Sequence, residues 1–219
     1  GKTTIVLHPD RLQLPLSWKS PRRIFVNSMS DLFHEEVSVD FIRQVFEVMA
    51  EAKKHTFQIL TKRHKRLQAL ACELDWPTNI WMGVSVENQY WADRRIPALL
   101  SVPAAVRFLS VEPLLQPVDL NGYLGDIQWV IVGGESGRKA RPIDPAWVRK
   151  IRDDCVDANV PFFFKQWGGT TSKSGGRTLD GRIWDRTPPR QPSPGRQAPS
   201  AWRKGNPPRM PCLPSGLDG

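Results

Sequence analysis

The chain has 219 residues, with 31 Lys and Arg against 22 Asp and Glu, a formal charge of +9. The excess is uneven: residues 173–219 hold nine basic and three acidic side chains, so the body is close to balanced and is not a polybasic nucleic-acid module. No apolar run reaches the ~20 residues of a membrane helix and no signal-peptide core follows a basic start, which leaves a cytoplasmic protein as the expectation.

The chain opens at Gly1 in a strand-like TTIVLHP segment, which suggests a longer protein that has lost its beginning. GKTT is no phosphate-binding loop, because the upstream glycine of that motif is missing. Short apolar runs then recur at the spacing of βα units: residues 23–27 (RIFVN), 56–61 (TFQILT), 80–86 (IWMGVSV), 106–111 (VRFLSV), 129–133 (WVIVG) and 161–165 (PFFFK). Their near-continuous apolarity predicts strands buried on both faces, hence a parallel sheet.

Between the runs, Ser38 is placed to cap a helix with Phe41, Ile42, Val45, Phe46 and Met49 on one face. Leu67, Leu70, Ala71 and Leu74 mark a shorter helix, and Pro97 is expected to kink or split another. Asp144 and Pro145 read as a cap and first turn, followed by a buried stripe of Trp147, Ile151, Cys155 and Ala158. Six such units suit either a barrel or an open doubly wound sheet. A partial (β/α) TIM-like barrel over residues 1–187 is favoured, because residues able to do chemistry follow nearly every strand. Residues 188–219 hold nine of the twenty prolines and are expected to be a disordered tail whose basic residues offer a weak nucleic-acid contact.

Two strand ends carry the same tripeptide, Ser85-Val86-Glu87 and Ser110-Val111-Glu112, and a third carries Gly133-Gly134-Glu135. With Asp31, Lys62 and Lys165, the acids Glu87, Glu112 and Glu135 form the candidate catalytic set, since acids and bases in one cleft perturb each other's protonation. The alternative is helix capping or a structural ion-pair ring. The two glycines permit close backbone approach to a ligand, but the order of a dinucleotide fingerprint is absent. Cys72, Cys155 and Cys212 lack the spacing of a metal site, and the four histidines are scattered. Trp167 reads equally as a stacking platform or a plug closing the barrel.

Together IFVNSMSDLFH, FQILTKR, WMGVSVEN, RFLSVEPLL, WVIVGGESG and PFFFKQWG, with the later GGRTLDGRIWD, resemble a phage-associated bacterial family of unknown function, the phage Gp-thirty-seven-like proteins, from about Leu7 to Asp185. Members of that family look like radical S-adenosylmethionine proteins. The resemblance implies a partial barrel and an N-terminal cysteine cluster holding a 4Fe-4S centre. It makes Asn27, Ser28, Ser30, Thr61, Ser85, Gly133 and Gly134 candidates for contact with S-adenosylmethionine, beside the acids and bases named above. The family's cysteine cluster belongs upstream of Leu7, so the expectation is a fragment that binds neither the cluster nor S-adenosylmethionine stably. The competing expectation is a nucleic-acid-binding accessory protein of a phage or mobile element.

Overall fold

A computed structural model of the chain describes residues 5–27, 30–171 and 173–189. The fold is mixed α/β: β1 (Arg23–Val26), β2 (Thr56–Thr61), β3 (Ile80–Ser85), β4 (Val106–Val111), β5 (Trp129–Gly133) and β6 (Phe162–Gln166) make one parallel sheet in sequence order. Each of the six apolar runs has become a strand within one residue of its expected bounds. Ile5–Leu7, by contrast, belong to no strand, so the strand-like reading of the opening segment is corrected over its described part. The disordered-tail expectation falls almost wholly on residues 190–219, outside the described residues.

The chain divides into two compact units. The first contains residues 5–82 and 101–105 of the described chain. It includes α1 (Leu14–Ser17), α2 (Val39–Glu51) and α3 (His64–Leu70). Ser38 caps α2 as its sequence position requires, its hydroxyl accepting from Phe41 N at 3.2 Å. Ile42, Val45, Phe46 and Met49 then turn inward. His55 is buried, taking the Arg22 amide on Nδ1 at 3.1 Å and donating through Nε2 to Pro15 O at 2.9 Å, which gives it a structural task.

The second unit contains residues 83–100 and 106–189. Its α4 (Gln89–Leu100) runs through Pro97, so of the expected kink or split the split does not occur. Pro97 and Asp93, whose carbonyl loses its partner, both face solvent, which lowers the cost of the missing bond. In α5 (Pro145–Asp157) the cap is as predicted, Asp144 Oδ1 accepting from Ala146 N at 2.8 Å. The buried stripe keeps Ile151 and Cys155 as expected, but its first member is Val148, while Trp147 is half-buried and Ala158 exposed. Burial pushes the Cys155 thiol up to about 12, so it is an inert core residue.

A two-stranded hairpin, β7 (Thr178–Leu179) and β8 (Arg182–Ile183), was not foreseen although Asp180-Gly181 is a turn signal. Both residues take positive φ, 51° and 76°. The Asp180 carboxylate accepts from Arg149 and Arg152 of α5, which pins the hairpin to that helix. Beyond it the chain lies antiparallel against β6: Phe164 N donates to Trp184 O at 2.8 Å, and Phe163 bridges Asp185. The backbone groups on that side of β6 are thereby paired.

Candidate functional site

In the second unit, alternation along the strands brings one set of side chains to one sheet face. Ser110 of β4, Ile131 of β5 and Phe163 of β6 stand in register as a row. Below them lie Phe108 and Trp129, with ring centroids 5.6 Å apart, and Trp129 meets Phe163 edge-on at 6.2 Å. Toward the C-terminal strand ends the face becomes polar. Glu112 follows β4, and its Oε2 lies 3.3 Å from both the Ser110 hydroxyl and Lys165 Nζ of β6. Gly133 of β5 sits between them, and any Cβ there would overlap Glu112 Oε1. The Glu112 side chain is 18% exposed and that of Lys165 is 55% exposed. The pair therefore forms the water-facing lip of an aromatic-floored surface.

The remaining predicted residues of this unit have defined partners. Glu87 is buried against Arg95, with Oε2 2.7 Å from Nη1, and the same nitrogen donates to Ser85 O at 2.8 Å. The Arg95 guanidinium stacks on Trp91 at 3.9 Å. Glu87 O in turn accepts from Leu115 N, fixing the loop that follows Glu112. Glu135 is held by Arg141 through both carboxylate oxygens at 2.8 and 2.9 Å, and by the Arg141 amide. That guanidinium lowers the Glu135 carboxyl to about 2, so it stays ionised and closes the loop after β5. Gly134 has no room for a side chain because Trp167 O occupies the position of its Cβ. Both glycines thus serve close packing within the protein.

Trp167 is a clamp. Its backbone N–H donates to Gly176 O at 3.0 Å, its indole N–H donates to Thr178 O at 2.8 Å, and its ring meets Phe164 edge-on. Arg177, which sequence reasoning did not single out, lies between those two fixed carbonyls. No periodicity or motif spacing marks it in the sequence.

In the first unit, Asp31 ties the ends of β1 and β2 together. Oδ1 accepts from Thr61 Oγ1 at 2.7 Å and from Phe33 N at 3.0 Å, and Oδ2 accepts from Lys62 N at 3.0 Å. Asn27 takes φ 56° at the end of β1, and its carbonyl accepts from Ser30 N. Ser28 lies outside the described residues. Asn27, Ser30, Asp31 and His34 form the polar end of a cavity of about 790 Å³ whose other walls include Phe41 and Val45 of α2. That volume is in the range of small-molecule sites.

The comparison with protein families matches residues 2–188 to Protein of unknown function (DUF5131). The chain belongs to this family. The comparison with curated proteins and the comparison with solved structures each return no match. The 4Fe-4S cluster that the resemblance implies is held by three thiolates, one fewer than the usual four. Among the described residues no three His, Cys, Asp or Glu side chains are placed to hold a metal ion, and Cys155 is a buried thiol inside α5. The described residues therefore do not fit such a cluster. No helix among them is long and apolar enough to cross a membrane.

Proposed function

We propose that this protein is an enzyme that holds a small polar substrate over the C-terminal ends of β4–β6, with Glu112 and Lys165 as its proton-handling pair. The observation that carries this reading is their meeting across Gly133, at 3.3 Å, above an aromatic floor. A carboxylate and an ammonium in contact at the strand ends are placed to bind, orient and exchange a proton with a substrate. Glu87, Glu135, Asp31 and Lys62 belong to the same reading as groups that shape the loops around strand ends.

The finer proposal is a TIM-like partial barrel of the radical S-adenosylmethionine type, in a phage or mobile-element setting and acting in the cytoplasm. Its support is the sequential parallel order of the six strands together with the motif resemblance. The thiolates it requires would come from outside the described residues.

The test is to express anaerobically the whole open reading frame that contains this chain, analyse iron and sulfide after reconstitution, and assay cleavage of S-adenosylmethionine. About four irons per chain with cleavage supports the radical reading. Absence of iron and of cleavage removes it. Glu112→Gln should abolish turnover while leaving the fold intact, and unchanged turnover would remove the acid–base pair from the mechanism.

The second reading, a nucleic-acid-binding accessory protein, is favoured by the formal charge of +9 and its concentration late in the chain. It requires affinity that falls steeply with salt and drops on deletion of residues 188–219.

A further inference from the structure

Arg177 combines two features that seldom occur together in an internal ion pair. Its backbone is fixed on both sides, since Trp167 donates to Gly176 O and to Thr178 O, and Gly176 takes the positive φ of 66° that this path requires. Its guanidinium is carried to 5.1 Å from the Phe163 ring centroid. There Nε and Nη2 are buried with no hydrogen-bond acceptor. A guanidinium is always charged and offers five donors in a rigid fork. Leaving buried donors of a cation unpaired costs free energy, so a fold with no use for them would supply a carboxylate or dispense with the charge. Of the carboxylates near this strand face, Glu112 is already engaged with Lys165 and Ser110, and the exposed Asp185, which bridges Phe163, gives Arg177 Nε and Nη2 no acceptor.

Lys165 stands at the bulge of β6 and reaches this face through its contact with Glu112, so the ring beneath Arg177 lies two residues from the second cation. Arg177 and Lys165 thus bring two cations to a face with an aromatic floor, where Glu112 is engaged by Lys165. Fixed donors lacking an acceptor, above a ring and beside a lysine, are complementary to a planar or tetrahedral oxyanion.

We propose that Arg177 anchors an oxyanion-binding site on the β4–β6 face, taking the carboxylate or phosphate group of a small-molecule substrate, with Lys165 as the second cation. The inference deepens the assignment of that face as the substrate site and names the substrate class. It does not depend on radical chemistry: oxyanion binding at Arg177 without S-adenosylmethionine cleavage would leave it standing, and the reverse result would leave the enzyme reading standing without it.

The test uses the full chain, with inorganic phosphate in one arm, citrate in a second and sodium chloride of matched ionic strength in a third. Thermal unfolding and the Arg177 Nε–H resonance are both followed. At about a hundredfold excess over Kd, the binding anion should raise Tm by roughly 5–10 °C and shift that resonance, and chloride should do neither. Phosphate without citrate assigns a phosphate ester, and citrate without phosphate assigns a carboxylate. Arg177→Met should keep a Tm no lower than that of the parent without anion and lose the rise. The resonance titration needs no variant, so it decides the matter even if Arg177→Met fails to fold. An Nε–H signal unmoved by both anions, or an equal Tm rise in Arg177→Met, overturns the proposal.

Discussion

Glu112 and Lys165 are two strands apart, yet Nζ and Oε2 come within 3.3 Å because Gly133, on the strand between them, puts no side chain in the way. The atom that a Cβ at position 133 would meet is the far end of a flexible side chain, so the fold can yield there at the expense of the pair. Gly133→Ala should therefore cost about 1–2 kcal/mol of stability. It should also remove the coupling between Glu112→Gln and Lys165→Met, which in the parent is about 0.2–1 kcal/mol for so exposed a pair. Urea unfolding of the double-mutant cycle in both backgrounds is the check, and an unchanged coupling in Gly133→Ala would refute the steric account.

The neighbouring glycine behaves differently. A Cβ at Gly134 would meet the backbone carbonyl of Trp167, which cannot turn aside. Gly134→Ala is expected to lose about 3 kcal/mol. Gly122→Ala, with nothing within 4 Å of the added atom, should lie within about 0.5 kcal/mol of the parent. Equal unfolding midpoints for the two variants would contradict the packing described for Gly134.

Glu87 and Arg95 form a buried pair, their side chains only 10% and 5% exposed. Removing one partner leaves a desolvated charge, so Glu87→Gln or Arg95→Met alone should cost about 3–5 kcal/mol. The double variant should recover part of that loss. Chemical denaturation of all four proteins reads this directly, and additive losses would show that the two charges do not depend on each other.

Asp180 provides the pH prediction. Hydrogen bonds from Arg149 and Arg152 lower its carboxyl from the ordinary 3.8 to about 2. A carboxyl depressed in the folded state stabilises it above the unfolded value, and the contribution disappears as pH falls through the folded one. The β7–β8 hairpin should thus loosen between about pH 4 and about pH 2, with α5 outlasting it. Trp184, which packs beside Arg152 and Arg182, is the natural fluorescent reporter. In Asp180→Asn the acid-induced change should vanish, and an identical acid transition in that variant would assign it to other groups.

Strands β2 to β5 were legible because residues buried on both faces must be apolar without interruption, whereas β1, with no buried residue, and β6, with Lys165 exposed, are apolar runs that lack the expected burial on both faces. The caps at Ser38 and Asp144 were legible because their side chains act within three residues of themselves. The Glu112–Lys165 pair was legible only as two candidates, since 53 residues separate them and their meeting depends on a glycine in a third segment. Arg177 was illegible for a related reason. Its significance comes from what surrounds its guanidinium, and neither its immediate neighbours nor any periodicity encodes that. The α5 stripe was legible at Ile151 and Cys155 and missed at its ends, where Val148 is buried in place of the half-buried Trp147 and Ala158 is exposed.

The return of residues 184–186 along β6 has a bearing on how the molecule behaves outside its folded context. A polypeptide cut after Ile183 would keep all six sheet strands but leave the outward amide of Phe164 and its neighbours as an adhesive ribbon, open to the same ribbon on another copy. Such a species would be threatened less by unfolding than by self-association, and its yield would depend on concentration. The stretch carrying Trp184 and Asp185 is in that sense the selvedge of the sheet, keeping a finished edge from being woven into a neighbour.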